Sequence, residues 1–205
     1  MTDIDFAALL VSRVCHDLVG PLGAVVNGLE VLEEERDAAM RADALKLVSG
    51  SAAQALERLQ FMRIAFGAAG SAGAELALSD TGRLVEGLFN GSKIKIEWRS
   101  AQVQWPKDWA KLLMNATLLA ADCLPRGGSV TVETAAAETA PSFRIVATGP
   151  SVRVQEDVQK AVRGDSVAST DARAIQPALT YRLARSLNAG LTFSAGENSV
   201  ELAAG

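Results

Sequence analysis

Apolar residues in the first third of the chain recur at alternating spacings of four and three: Leu18, Leu22, Val25, Leu29 and Leu32, extended upstream by Val11 with Val14 or Cys15. That rhythm is the seam of a helix packed in a bundle or coiled coil. Leu45, Val48, Ala52, Leu56 or Ala55, Leu59, Met62 and Phe66 repeat it and predict a second helix from about Asp37 to Phe66. The connection near Arg36 to Met40 is short, so the two helices form an antiparallel hairpin. One hairpin cannot bury a full apolar seam. Two can, as a four-helix bundle, which predicts a homodimer. The alternative is a monomer whose second domain covers the seam, and the downstream segment's own core pattern argues against it.

After Gly67-Ala-Ala-Gly-Ser-Ala-Gly-Ala74, a run of small residues that reads as a boundary, the pattern changes. Ser79-Asp80 can cap a short helix to about Phe89, Lys93 to Arg99 alternates as a strand, and Pro106 opens a helix to about Cys123. Strands follow at Ser129 to Thr134 and Phe143 to Ala147, helices near Gln155 to Val162 and Arg173 to Leu187, and strands at Leu191 to Ser194 and Val200 to Ala203. The fold class is therefore α+β: an N-terminal helical hairpin over residues 1–67, a linker over 68–76, and a mixed-sheet α/β sandwich over 77–205 with helices on one face.

The chain contains one histidine, His16. At about 100° per residue it lies roughly 200° from Leu18 and roughly 180° from Val25, on the wet side of the first helix. Its neighbours there are Arg13, Val19, Gly20, Gly23 and Asn27, a small and partly apolar surface on which another protein can land. A lone histidine is commonly no more than a solvated or structural residue. Here the local sequence adds weight. Pro21 falls inside the helix, where proline costs ~3 kcal/mol or more, and Gly20 and Gly23 each weaken it by ~1 kcal/mol.

His16-Asp17-Leu18 followed by Pro21-Leu22 resembles the phosphoacceptor motif of histidine kinases. The second half resembles the ATP-binding domain of the same proteins, with its nucleotide elements replaced. Asn115 through Asp122, followed by Pro125-Arg-Gly127-Gly128, resembles the asparagine box and its downstream turn. The second asparagine, part of the metal and phosphate site in those ATPases, is Leu119, which offers no oxygen to a hard cation. The usual basic residue is Asp122. At the segment matched to the adenine-binding box, the aspartate is Ala147 and the second glycine is Ser151. The phosphate loop maps onto Ala172 to Leu179, which contains no glycine. Loss of all three elements implies a degenerate histidine-kinase ATPase-like domain, with no cofactor or metal bound by this chain.

Over nearly its whole length the chain resembles the ChpT-type histidine phosphotransferases of alphaproteobacteria, on Arg13-Val-Cys-His-Asp17 and on Leu59 to Gly73. The resemblance implies a phosphorelay: His16 takes a phosphoryl group from the aspartyl phosphate of a hybrid kinase's receiver domain. It then passes the group to response-regulator receivers of the CtrA and CpdR kind. Histidine's ordinary pKa of about 6.5 leaves a ring nitrogen lone pair free near neutral pH, and Mg²⁺ comes with the receiver. Asp17 is the candidate for orienting the ring and handling its other proton, against the plainer reading of a solvated acid. Gly20 stands where phosphatase-active kinases often carry Thr or Asn, which implies little phosphatase activity. Arg153, beyond the Gly149-Pro150 turn, is a candidate receiver contact, although an ordinary surface arginine is as good a reading.

A net charge of −4 and a pI near 5.1 argue against a general nucleic-acid binder. Apolar runs are interrupted and no basic leader is evident, which reads as a soluble cytoplasmic protein. Cys15 and Cys123 lack metal-ligand spacing, and Trp98, Trp105 and Trp109 read as core. Two other functions remain open: a silent pseudo-kinase adaptor that binds receivers without transfer, and an active histidine kinase.

Overall fold

A computed structural model describes residues 2–67, 74–137, 140–165 and 175–205. Helix α1 (Asp3–Glu34) begins at a reciprocal cap in which the Thr2 hydroxyl accepts from the Asp5 backbone N–H and the Asp5 carboxylate accepts from the Thr2 N–H. It ends at Glu35, whose carboxylate accepts the backbone N–H groups of Arg36 and Asp37. Asp37 then caps α2 (Ala38–Ala65) by accepting from Ala39 and Met40. The three-residue turn makes the pair antiparallel.

α1 runs unbroken through Pro21, which is buried. Proline has no N–H to give the carbonyl four residues back, and that carbonyl belongs to Asp17. A guanidinium N–H of Arg58 on α2 points at the orphaned oxygen from 3.5 Å. Two turns further on, Gly28 is buried where a β-carbon would meet Val48 Cγ2 at 2.6 Å. Only glycine permits this close approach of the two helices.

The expected seam divides into two faces. Pro21 and Gly28 of α1 meet α2, whereas Leu22 and Leu29 remain about half exposed on a contiguous face with Val11, Val19 and Val26. On α2, Leu45, Leu56 and Leu59 are likewise exposed. By length and composition α1 is apolar enough to cross a membrane, although Arg13, His16 and Asp17 interrupt it.

The second unit starts in what reads as linker from sequence; residues 68–73 of that span lie outside the described residues. Strand β1 (Glu75–Ala77) pairs antiparallel with β3 (Gln104–Pro106). Between them lie helix α3 (Leu78–Phe89) and strand β2 (Ile94–Arg99). α3 opens at Ala77 without a side-chain cap, and Asp80 pairs with Arg83 instead. Then come α4 (Lys107–Asp122), β4 (Gly128–Thr134), β5 (Phe143–Thr148), α5 (Glu156–Arg163), α6 (Ile175–Ser186), β6 (Thr192–Ala195) and β7 (Ser199–Ala204). The five-stranded sheet has the order β2-β4-β5-β7-β6, with β2 and β4 parallel and the other pairs antiparallel.

Val130, Val132, Ile145, Ala147, Val200 and Leu202 alternate onto the covered face, under Leu112, Leu113 and Leu119 of α4. The opposite face carries a charged ladder in which Arg99 meets Glu97 and Glu133, and Arg144 meets Glu133 and Glu201. Trp105 is fully buried, edge-on to Trp109. Trp98 packs beside both core clusters. The fold is thus α+β, a helical hairpin followed by a mixed-sheet domain.

Two joints fix the hairpin to that domain. At the end of α2, Phe61, Met62 and Ala65 share a core with Val85 and Leu88 of α3 and Met114 and Leu118 of α4. At the start of α1, Arg182 of α6 lies 4.1 Å from the centre of the Phe6 ring and pairs with Asp3 at 3.4 Å. The cleft between these joints faces His16.

Candidate functional site

The His16 side chain is 85% exposed on α1. Its Nδ1 lies 3.2 Å from Oδ1 of Asp17, so the adjacent position does reach the ring. A carboxylate only accepts, so this hydrogen bond requires the proton on Nδ1 and leaves the lone pair on Nε2. The other Asp17 oxygen accepts from Nε of Arg13 at 2.9 Å, one helical turn earlier. Arg13 reaches on to Asp122 at the end of α4, donating from Nη2 at 3.3 Å.

Arg13 and Asp17 are only 15% and 16% exposed. Burial alone lowers the Arg13 pKa, but Asp122 and Asp17 outweigh it and hold the guanidinium firmly charged. Asp122 lines the cleft wall, half exposed. Desolvation there pushes its carboxyl above the usual range, with the Asp17 charge adding and Arg13 opposing.

Val19, Gly20, Gly23 and Asn27 are exposed along α1 beyond the imidazole. A β-carbon added at Gly20 or Gly23 would touch nothing within 4 Å, so these glycines serve no internal packing and leave the surface low around the ring. Arg13 departs from this group. Its angular position sends it toward the second domain, where two carboxylates hold it, and it is not part of an open landing face. Arg153 is exposed and its backbone N–H donates to the Cys123 carbonyl. With His16, Asp17, Asp122 and Gln155 it lines one cleft of about 700 Å³, so residues far apart in sequence open onto a common space.

Residues matched to a nucleotide site are engaged otherwise. Asn115 is fully buried, and its amide donates to the carbonyls of Ala65 at 2.8 Å and Lys111 at 2.9 Å. It thereby ties α4 to the last turn of α2, where helix carbonyls lack partners of their own. Lys111 does the same for Gly67, at 2.8 Å. Gln176 donates to the Asn115 carbonyl oxygen at 2.7 Å, filling the space over the asparagine. Leu119 and Ala147 are buried apolar core. Of the segment matched to the phosphate loop, 172–174 lie outside the described residues and 175–179 begin α6. Among the described residues, this donor set does not fit a nucleotide and its cation.

Sequence reasoning did not find Asp122 or Arg58 as parts of the site. The Arg13–Asp17 spacing of four was legible, but Asp122 is 109 positions from Arg13. The one signal for it was an acid where kinases carry a base.

In architecture the chain is a kinase-type module, a helical hairpin bearing a histidine joined to an ATPase-like α/β domain. The histidine kinase domain of a blue-light activated kinase from Erythrobacter litoralis shares that fold, with TM-score 0.50 at 14% identity over 89% of this chain and 94% of its own. Residues 78–199 match the model of the histidine phosphotransferase C-terminal domain. Protein phosphotransferase ChpT of Brucella abortus (strain 2308) is 40% identical over 195 residues, 95% of this chain and 91% of that one. A solved bacterial phosphotransferase superposes with TM-score 0.88 at 35% identity, over 100% of this chain and 98% of its own. The chain belongs to the histidine phosphotransferase family.

Proposed function

We propose that His16 is the phosphoacceptor of a phosphorelay and that this chain is a shuttle. It takes a phosphoryl group from the receiver domain of a hybrid histidine kinase and gives it to response-regulator receivers, by resemblance those of the CtrA and CpdR kind that govern the cell cycle. The observation that carries the reading is the exposed imidazole with Nδ1 engaged by Asp17.

In the forward step the Nε2 lone pair attacks phosphorus, the bond from phosphorus to the aspartyl oxygen breaks, and a free carboxylate leaves the receiver. The ring then carries positive charge, which Asp17 stabilises while holding the Nδ1 proton. The return step reverses these changes on a second receiver. Phosphoryl transfer asks mainly for alignment and charge neutralisation. Mg²⁺ is the receiver's contribution; this chain's part is to present and orient the nucleophile. Val19, Gly20, Gly23 and Asn27 form the docking surface on α1, and Arg153 grips the receiver from across the cleft. Gly20 provides no side chain to position a water, so phosphatase activity is weak.

The chain works without ATP and has no autokinase activity. Buried Leu119, the Asn115 amide committed to Ala65 and Lys111, and apolar Ala147 all support this. The working form is a homodimer in the cytoplasm, a four-helix bundle in which a second copy covers the exposed Leu22, Val26, Leu29, Leu56 and Leu59. Phosphorus NMR of the loaded chain is expected to show one phosphoryl group, on Nε2 of His16. Titration calorimetry with Mg-ATP is expected to give no binding heat. Micromolar ATP affinity with self-labelling of His16 would make the protein a kinase and overturn this reading.

A further inference from the structure

Asp122 touches neither His16 nor Asp17, yet it closes a chain of charges that ends on the imidazole. His16 Nδ1 meets Asp17 Oδ1 at 3.2 Å, Asp17 Oδ2 meets Arg13 Nε at 2.9 Å, and Arg13 Nη2 meets Asp122 Oδ2 at 3.3 Å. The geometry points to Asp122 as a positioning residue for the phosphoacceptor. Through Arg13 and Asp17, the second domain fixes which nitrogen of His16 carries the proton. This rests on the reading of His16 as the reacting group.

The number of rotational freedoms left to Asp17 decides where its oxygens point. A carboxylate on an exposed helix can rotate, and a neighbouring imidazole can swing to either side of it. Asp17 is held at both oxygens, one on Arg13 and one on the ring. Arg13 is a long side chain with large rotamer entropy, and pairing with Asp17 at a spacing of four is by itself weak. What makes the guanidinium a fixed point is its second anion. With Asp122 it spans from α1 to α4, the guanidinium largely buried and the Asp122 carboxylate half exposed; the same three residues line the cleft below His16 and a second cleft of about 430 Å³ behind it. Asp122 belongs to the last turn of α4, and the far end of that element's network is the Asn115 clamp on α2. The domain that does not fit a nucleotide therefore has a structural route to the reacting ring. Removing the Asp122 charge frees the Arg13 fork to follow solvent or to engage Asp17 by both oxygens, and either change takes Oδ1 away from Nδ1.

Because His16 is the only histidine, nitrogen NMR of the untagged, full-length, isotopically labelled chain reads its tautomer without assignment. Wild type is expected to hold the proton mainly on Nδ1. Asp122→Asn is expected to raise the Nε2-protonated population severalfold. At saturating phosphorylated receiver it is expected to lower the transfer rate by roughly three- to tenfold, with receiver affinity unchanged. Asp122→Glu restores both in part. In an Asp17→Asn background, Asp122→Asn has no further effect on the rate, because its influence passes through Asp17.

An unchanged tautomer in Asp122→Asn overturns the proposal. So does a loss of receiver affinity with an unchanged rate at saturation, which would make Asp122 a docking contact. A lowered unfolding temperature with normal tautomer and rate also overturns it, leaving only an interdomain tether. If wild type accepts no phosphoryl group at all, the proposed function fails while the tautomer comparison still decides the wiring.

Discussion

On the proposed reading, the exposed imidazole with Nδ1 engaged by Asp17 is a nucleophile held in its useful tautomer. What surrounds it matters as much. Gly20 and Gly23 lower helix propensity without any packing need, so their value lies in what they leave open. Replacing either with alanine is expected to stabilise the chain by roughly 0.5–1 kcal/mol, since the added methyl meets nothing. The same changes are expected to weaken binding of a phosphorylated receiver, measured by calorimetry beside thermal unfolding; unchanged affinity would remove the glycines from the docking surface. Cys123 is a residue of the opposite kind. Burial pushes its thiol from 9.0 up to about 12, with Asp122 adding to the shift. A raised acid pKa in the folded state means stability present below the unfolded value is lost as pH rises through the folded one. Unfolding free energy is therefore expected to fall between about pH 9 and 12, and Cys123→Ala is expected to flatten that limb. Native protein is also expected to protect Cys123 from alkylation at pH 8.

At the scale of elements, the hairpin rests on a close approach that only Gly28 allows. Gly28→Val places carbon against Val48 Cγ2 and the Ala44 carbonyl and is expected to cost about 1–3 kcal/mol in urea unfolding. A neutral result would mean that the helices separate easily. Most elements were legible in the sequence because their periodicities are long: both helices of the hairpin, the wet face bearing His16, and the strands of the main sheet. β1 and β3 were not, since three residues carry no period. Nor was the division of the seam. A three-four rhythm marks which residues are apolar, but it does not say which of two adjacent faces meets the partner helix, and here Pro21 and Gly28 take that place. The Asn115 motif was visible, whereas its conversion into a clamp on α2 depends on Ala65, 50 positions away.

On the scale of the whole molecule, the chain joins an uncovered apolar hairpin face to a domain that closes one side of the His16 cleft. The face predicts assembly: Leu22→Glu with Leu59→Glu is expected to convert a dimer to a monomer by light scattering, leaving the α/β core intact. A wild type that is monomeric at working concentration would show that something else covers those residues. The second domain predicts dependence in the other direction, because residues separated by most of the sequence, His16 and Arg153 among them, line the same space.

In the proposed function, phosphoryl flow passes through His16 from receivers and not from ATP. The most direct test is transfer of radiolabel from a purified phosphorylated receiver domain to this chain, with nucleotide removed, beside His16→Ala. Acid-labile, base-stable label on wild type alone is the predicted result. Receiver binding without label on the wild-type chain would contradict it and leave an adaptor in place of a shuttle.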